Sequence, residues 1–298
     1  MRFSFWPNPS QTFTDVMELC THAEESGWDG IWYADHFMPN AEDTSAPHPE
    51  AWTTLAAIGA RTQRIRIGTL VAGNTYRHPA VLAKVATTLD HITNGRVVLG
   101  LGSGWQENEH KQYGIEFYTV AERLARLDEA CQVIKALFSD EKANFDGKFY
   151  QLNDASFEPK PVQKPLPLLI GGGGEKVTLK ITAKYADEWN VWGDPELLRH
   201  KMGILDQHCA DVGRDPKDIQ RTAVALLFMS TDKSFLEKMR TTDMQQPAII
   251  GTPEEVQATV AEYEQAGVNE LIVPDFTMGS KEQKIATMDT FIKQVAGR

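Results

Sequence analysis

The sequence of 298 residues has little cysteine, less positive than negative charge and no long hydrophobic run. Its three cysteines, Cys20, Cys131 and Cys209, are far apart and lack a CxxC spacing. Each falls in a helical pattern, so we expect packed core thiols. No apolar stretch reaches the roughly 18 residues of a membrane-spanning helix. Residues 1–25 lack the basic and apolar regions of a signal peptide. These absences predict a cytoplasmic protein with no membrane partner.

The charge balance also restricts the class of partner. Lys and Arg number 30 against 41 Asp and Glu, which gives a formal net charge of −11. Such a surface repels nucleic acid and anionic membranes, so the sequence favours a small-molecule partner. No internal repeat or low-complexity linker divides the chain, and its length suits one α/β barrel. We therefore predict a single domain over residues 1–298.

Short apolar runs alternate with helical patterns along the chain. The first unit is a strand at residues 3–6, a helix at residues 13–26 with Thr12 as N-cap and Gly27 as a left-handed stop, and the strand "GIWYADH". Six further runs predict strands three to eight: "RIRIGTLVAG", "RVVLGLGSGW", "PLLIGGGG", "EWNVWG", "RTAVALLFM" and "ELIVPD". Eight nearly continuous apolar strands separated by helices predict a (β/α)8 TIM barrel.

Two segments interrupt this alternation. Residues 139–165 contain Asp-Gly, the strand pattern "KFYQL" and three prolines, which predict a hairpin and an extended segment inserted between strands four and five. Long insertions in barrels often cover the active face, and we expect that position here. Residues 231–247 form a second candidate cover.

Polar and glycine residues collect where the predicted strands end. Asp35 and His36 follow strand two, at the end of the barrel where the βα loops carry the chemistry. Gly171–Gly174 follow strand five and precede a helical pattern, so their N–H groups could receive a phosphate. Strand four likewise ends in a glycine motif, "GLGSGW".

Several motifs spread from Arg2 to about Pro274 carry a family resemblance. They are "GWDGIWYADHF", "IRIGTLVAGNTYRHPAVLAKVATTLDHITNGRVVLGLGSGWQENEH", "KPLPLLIGGGG", "ADEWN" and "GTPEEVQATVAEYEQAGVNELIV". As a set they resemble the luciferase-like oxidoreductases, also called luciferase-like monooxygenases, and most closely the branch that uses the deazaflavin F420. The resemblance implies a barrel with an insertion after strand four, a flavin-type cofactor at the carboxyl ends of the strands, and a homodimer.

The resemblance also implies roles for individual residues. His36 is the expected catalytic proton relay, since imidazole titrates near neutral pH. The expected cofactor-binding residues are Asp35, Thr69, Leu70, Val71, Gly102, Ser103, Gly104, Gly171, Gly172, Gly173, Gly174 and Asn190. A non-proline cis peptide is expected at Leu70-Val71 or one residue beyond. The expected aromatic walls of the substrate pocket are Trp6, Phe37, Trp105 and Trp189.

One position departs from the family pattern. In the F420-dependent sugar-phosphate dehydrogenases a glutamate follows the strand-four glycines as a catalytic acid, whereas here Trp105 occupies that place. The departure argues against sugar-phosphate oxidation. Glu109, one helical turn further on, is interpreted as a helix or interface residue.

The leading hypothesis is therefore an F420-dependent oxidoreductase acting on a small organic substrate. The main alternative is an FMN-dependent monooxygenase of the same fold, which uses reduced flavin and O2. An F420 site should have a basic groove for the acidic oligoglutamate tail. A metal hydrolase is disfavoured because strand one lacks an HxH pair. A noncatalytic flavin-binding protein is disfavoured by His36 at the ligand face.

Overall fold

A closed barrel of eight parallel strands forms the centre of the computed structural model, which describes residues 1–298. The strands are β1 (Arg2–Trp6), β2 (Gly30–Tyr33), β3 (Arg66–Thr69), β4 (Val97–Gly102), β5 (Leu168–Gly171), β6 (Glu188–Trp192), β7 (Gln220–Val224) and β8 (Glu270–Pro274). Each strand pairs in parallel with its neighbour in the chain, and β8 pairs with β1 to close the ring. The predicted (β/α)8 TIM barrel is confirmed.

Ten α-helices surround the barrel or lie on its loops. They are α1 (Phe13–Ser26), α2 (Ala51–Arg61), α3 (Pro79–Thr93), α4 (Glu107–Tyr113), α5 (Val120–Ser139), α6 (Thr178–Tyr185), α7 (Pro195–Asp211), α8 (Lys233–Thr241), α9 (Pro253–Gln265) and α10 (Lys281–Thr290). The Thr12 side chain accepts a hydrogen bond from the Asp15 N–H at the start of α1, and Gly27 ends the helix at φ 101°. Both predicted ends are thus confirmed. None of the helices has the length and apolar character needed to span a bilayer.

The apolar core has two parts. The larger one, of 60 buried residues, fills the space between the strands and the helices and contains the free thiols Cys20, Cys131 and Cys209. The smaller one lies inside the barrel and includes Trp6 and Trp32. Neighbouring side chains on a strand point to opposite faces, so each strand supplies both parts.

An ionic cluster closes the amino-terminal end of the barrel. Glu270, at the start of β8, is fully buried and accepts hydrogen bonds from Ser4 Oγ at 2.6 Å and Trp32 Nε1 at 2.7 Å. Arg2 Nε and Arg66 Nη1 each lie 2.9 Å from its other carboxylate oxygen. Burial alone would raise the pKa of Glu270, but the two guanidinium groups and the two hydrogen bonds lower it below the ordinary value.

The apolar run predicted as strand seven forms two strands. Residues Gln220–Val224 enter the barrel as β7, whereas Leu226–Met229 leave it and pair with Ala248–Gly251 in a separate two-stranded parallel sheet. The strand at Ala248–Gly251 and the helix α4 were not predicted. The continuous run of apolar residues contains no residue type that marks the break.

Candidate functional site

A cavity of about 840 Å³ opens at the carboxyl ends of the strands. Its volume falls in the range of roughly 300 to 1,000 Å³ typical of small-molecule sites. Most of the predicted site residues line it, namely Trp6, His36, Leu70, Val71, Gly102, Ser103, Gly104, Trp105, Gly171, Gly172 and Asn190. Six predicted residues do not line the cavity: Asp35, Phe37, Thr69, Gly173, Gly174 and Trp189.

His36 is held in one orientation by a carboxylate. Its Nδ1 lies 2.7 Å from Glu109 Oε1, and its side chain is 16% exposed. A carboxylate can only accept in this contact, so Nδ1 carries the hydrogen. No group of the protein hydrogen-bonds Nε2, which leaves that nitrogen available to a ligand in the cavity.

Glu109 has a larger role than the sequence indicated. It is fully buried at the start of α4, and besides His36 it accepts hydrogen bonds from the Phe37 N–H at 2.7 Å and from the Tyr76 hydroxyl. Burial opposes ionisation, but these three donors together lower the pKa of Glu109. Glu109 does lie on a helix, as interpreted, but its contact with His36 also places it at the site. Its position soon after β4 could have identified it, because such loops reach the site of a barrel.

Asp35 lies behind the cavity wall and not on it. The fully buried carboxylate pairs with Arg77 Nη1 at 2.6 Å, and Arg77 Nη2 contacts Glu50 at 2.7 Å. Burial raises the pKa of Asp35, and Arg77 opposes this only in part. The pair joins the loops that follow β2 and β3, so Asp35 supports the neighbouring His36 from within the protein.

The turn after β3 has the predicted backbone. The Leu70-Val71 peptide is cis, which confirms the expectation, and both side chains line the cavity. Thr69 points away, because its hydroxyl donates to the Gly100 carbonyl at 2.8 Å. A Cβ on Gly102 or on Gly171 would lie 2.8 Å from a Val71 methyl carbon. These two glycines therefore make room for Val71, a reason beyond the ligand contact that the sequence suggested.

The glycine loop after β5 presents unpaired donors. Gly172 adopts φ 124°, and its N–H donates to the Asn190 carbonyl at 2.9 Å. The N–H groups of residues 173–177 make no hydrogen bond within the chain, and α6 begins directly after them at Thr178. Successive free N–H groups ahead of a helix can bind an anion such as phosphate. The observed loop fits that expectation, although α6 begins later than the helical pattern predicted.

The aromatic residues divide into walls and supports. Trp6 contacts Trp192 and Phe276, with ring centroids 5.8 and 5.2 Å apart, and all three line the cavity. Trp105 also lines it, edge-on to His36 at 5.3 Å. Trp189 instead belongs to the outer core, because it points to the opposite side of β6 from Asn190. The prediction of Trp189 as a wall is corrected accordingly.

Phe37 is the second predicted wall that lies elsewhere. Its ring stacks on Tyr113 at 5.6 Å and meets Tyr76 edge-on at 4.8 Å, outside the cavity. The Phe37 backbone N–H is bound to Glu109, which turns the ring toward α4. Phe37 thus supports Tyr76, which does line the cavity.

A second histidine, which the sequence analysis did not identify, also lines the cavity. His48 lies in the long loop between β2 and α2, where no strand or helix pattern indicates its position. Its Nδ1 is 3.4 Å from Ser10 Oγ, and its Nε2 is buried without a partner. Burial lowers the pKa of His48 to about 4, so the ring is neutral at pH 7. No three His, Cys, Asp or Glu side chains converge as metal ligands.

The model of the family described as luciferase-like monooxygenase matches residues 1–241. The chain belongs to the luciferase-like monooxygenase family. An F420-dependent glucose-6-phosphate dehydrogenase of Amycolatopsis mediterranei (strain U-32) is 41% identical over 174 residues, 58% of this luciferase-like chain and 50% of the relative. Another, of Microbacterium testaceum (strain StLB037), is 35% identical over 232 residues, 76% of this chain and 68% of the relative.

The chain therefore spans about half the length of the Amycolatopsis relative. A solved structure shares its fold along nearly the whole chain. It is an F420-dependent secondary alcohol dehydrogenase in complex with an F420-acetone adduct, with a TM-score of 0.86 at 21% identity. The match covers 99% of this chain and 98% of the other.

The insertion at residues 139–165, between β4 and β5, does not cover the cavity. A hairpin forms as predicted, with Ala143–Asp146 antiparallel to Gln151–Ala155. The segment then runs along the outside of the barrel, where Gln163 Nε2 donates to Asp90 at 2.7 Å and to the Val97 carbonyl at 2.8 Å. Val97 begins β4, so the segment ends near the opposite, amino-terminal end. None of residues 139–165 lines the cavity, and the expectation that they cover it is wrong. The second candidate cover, residues 231–247, reaches the cavity through Gln246, which is among the lining residues.

Proposed function

We propose that the protein is an F420-dependent oxidoreductase that transfers a hydride between the deazaflavin and a small organic substrate with a C=O, C=N or C=C group. The observation that carries the proposal is the oriented His36, with its free Nε2, at a cavity large enough for a ring and a substrate. The names of the curated relatives, which are F420-dependent dehydrogenases, support it.

The residues of the chain fit such a cofactor. The free N–H groups of residues 173–177 would receive its phosphate, and Leu70 and Val71 would pack against its ring. When bound, F420 supplies or accepts the hydride. His36 Nε2 holds or delivers the proton at the substrate oxygen or nitrogen, while Glu109 keeps the imidazole in place. With the cofactor bound, the aromatic walls would reduce the water around the reacting atoms.

The segment around the glycine loop is less acidic than the chain as a whole, which suits a cofactor with an acidic tail. The glycine loop and the two helices that follow it carry five basic residues, Lys176, Lys180, Lys184, Arg199 and Lys201, against four acidic ones, Glu175, Glu196, Asp206 and Asp211, in a chain of net charge −11. Lys201 contacts Glu175 at 2.5 Å, and Lys176, Lys180 and Arg199 are exposed. An acidic tail on the cofactor would find its partners in this neighbourhood.

The deciding experiment titrates the protein separately with F420 and with FMN and follows the change in cofactor fluorescence. We expect the dissociation constant for F420 to be at least tenfold lower. Equal or tighter FMN binding, with oxygen uptake on addition of reduced FMN, would support the FMN-dependent monooxygenase instead.

A matched pair of variants tests the charge argument. Lys176→Gln should weaken F420 binding up to about fivefold, as expected for an exposed ion pair, and leave FMN binding unchanged. Lys293→Gln, which removes an exposed lysine elsewhere, should alter neither. Equal loss of affinity in both variants would argue against a specific contact.

The family resemblance also leads us to propose a homodimer. Light scattering should then give twice the 33.3 kDa chain mass.

A further inference from the structure

The wall of the cavity has no charged side chain apart from its histidines. None of the residues that line it is Lys, Arg, Asp or Glu. His48 is neutral at pH 7, because burial lowers its pKa to about 4. His36 contacts the Glu109 carboxylate, so even a protonated imidazole adds no net positive charge to this pair. Arg77, behind the wall, is already shared by Asp35 and Glu50.

This distribution of charge is unsuited to a phosphorylated substrate. A phosphate group removed from water requires cationic partners or several N–H donors, because an uncompensated buried charge is very unfavourable. The free N–H groups of residues 173–177 lie on the loop assigned above to the cofactor. The loop that brings His48 to the cavity also carries Glu42 and Asp43, both exposed, which would repel an anion.

An aromatic cluster makes part of the cavity wall apolar, and two of the lining residues have an unsatisfied buried nitrogen. Trp6, Trp192 and Phe276 form one aromatic wall, and Leu226 lies among the lining residues. Trp6 Nε1 and His48 Nε2 are buried and have no hydrogen-bond partner. Both nitrogens have almost no accessible surface, so a ligand would reach them only after the Trp6 or His48 ring turns toward the cavity. Leaving such an atom unpaired costs about 1 to 3 kcal/mol, and a ligand that then supplies a partner recovers part of that cost.

We propose that the substrate is an uncharged alcohol or the corresponding carbonyl compound on an apolar skeleton, and that Trp6 Nε1 and His48 Nε2 hydrogen-bond its neutral oxygen atoms. The chain therefore differs in substrate class from its sugar-phosphate relatives. The proposal rests on the proposed function of the same site.

The reaction balances with the groups already named. In oxidation the alcohol loses a hydride from carbon to oxidised F420 and its hydroxyl proton to His36. The C–H and O–H bonds break, C=O forms, and F420 is reduced. Reduction of the carbonyl compound is the reverse.

Matched ligand pairs test the proposal on the F420-loaded protein. Calorimetry would compare cyclohexanol with cyclohexyl phosphate, 2-propanol with isopropyl phosphate, and 1-phenylethanol with its phosphate ester. We expect at least one alcohol to bind tenfold or more tightly than its ester, and that alcohol to reduce F420 faster than glucose 6-phosphate does. If no alcohol reaches this margin, or if glucose 6-phosphate is the better reductant, the proposal is overturned while F420 dependence stands. Absence of F420 binding would overturn the proposed function and this inference together.

A second measurement uses two tryptophan variants. Trp6→Phe keeps an aromatic ring but removes the N–H, and should raise the dissociation constant of the bound alcohol by about three- to tenfold, the value of one hydrogen bond. F420 affinity should stay within twofold. Trp52 also has a buried N–H without an acceptor, but it lies in the outer core, so Trp52→Phe should leave alcohol affinity unchanged. Unchanged alcohol affinity in Trp6→Phe would remove Trp6 from the recognition of the substrate.

Discussion

His36, the proposed proton relay, and Glu109, the carboxylate that orients its ring, come from different parts of the chain. His36 follows β2, whereas Glu109 lies on α4, 73 residues later. Because Glu109 is fully buried and also accepts from the Phe37 N–H and the Tyr76 hydroxyl, its carboxylate has little freedom to move. His36 therefore meets a ligand with Nε2 already in position.

Replacement of His36 by alanine tests its role as proton relay. Cofactor affinity should stay within a few-fold, because the glycine loop and the Leu70-Val71 turn are unchanged. The saturated turnover rate should fall by about 10² to 10⁴, the usual contribution of a general acid or base. The dissociation constant, melting temperature and saturated rate are measured on one preparation. A stable, cofactor-saturated variant with near-normal turnover would exclude His36 as the catalytic group.

The Glu109→Gln variant tests whether Glu109 orients the His36 ring. Loss of the carboxylate should lower kcat by about 10- to 100-fold, as expected for a group that orients a catalytic histidine, with little change in KM. Glu109→Asp should recover part of the loss. Glu107→Gln on the same helix is the control, since Glu107 is 56% exposed and pairs only with Lys111. A parallel rise in KM and loss of melting temperature, with kcat preserved, would indicate a structural role alone.

The sequence places His36 at the site. For Glu109 it gives a position soon after β4 but not the contact with His36, and for His48 it gives no position. A polar residue that ends a barrel strand has a known location, because all such ends meet at one rim. Glu109 and His48 lie on a helix and a loop whose paths depend on tertiary packing. Trp189 was misplaced for a related reason. The apolar run of β6 does not reveal which of two adjacent side chains faces the barrel interior.

Among the elements, those with local end signals were predicted best. α1 begins at the capping side chain of Thr12 and ends at the left-handed residue Gly27, and these local contacts act in any fold. The division of strand seven and the path of residues 139–165 depend on partners far away in the chain. Gln163, for example, is held by Asp90 and by the start of β4.

Gly102 lies against Val71 where β3, β4 and β5 meet, so a side chain added at this glycine should disturb the packing. Gly102→Ala would place a Cβ 2.8 Å from a Val71 methyl carbon and should destabilise the protein by about 1 to 3 kcal/mol, the usual range for overpacking. F420 affinity should fall as well, because Val71 lines the cavity. Gly203 in α7 faces open space where a Cβ would lie, so Gly203→Ala should stabilise the helix by about 0.5 to 1 kcal/mol. Urea denaturation measures the stability of both variants, and F420 titration measures the affinity of Gly102→Ala. If Gly102→Ala has the stability and F420 affinity of the natural protein, Val71 can move aside without cost.

For the molecule as a whole, the cavity and the ionic cluster lie at opposite ends of the barrel. Trp32 and the other residues of the interior core separate them. Stability changes at the amino-terminal end should therefore leave the chemistry at the carboxyl ends intact.

Glu270→Gln tests this separation. Loss of this carboxylate should cost about 1 to 3 kcal/mol, the range for hydrogen bonds to a charged group. The cost is smaller than for a fully uncompensated charge, because Arg66 keeps Glu188 as a partner at 2.5 Å. The pKa of Glu270 is lower in the folded protein than the ordinary 4.5, so its ionised form stabilises the fold above that pH. The difference in unfolding free energy from the natural protein should be largest near pH 7 and shrink as the pH falls below about 4.

The control for this prediction is an exposed carboxylate at the same end of the barrel. Glu264, 62% exposed, pairs with the amino terminus, and Glu264→Gln should cost less than about 1 kcal/mol. Urea denaturation at pH 7 and pH 4 compares the two variants. A large loss of turnover in folded, cofactor-saturated Glu270→Gln would contradict the separation of the two ends.

The three hydrogen bonds to Glu109 also have a consequence for motion. They join the loop after β2, the loop after β3 and α4 through one carboxylate, so none of the three can leave without disturbing the others. The Phe37 amide proton can then exchange with solvent only when this group of loops opens together. Its exchange rate in deuterated water should report how often the entrance to the cavity opens, and Glu109→Gln should increase that rate while the exchange of the β4 amides stays the same.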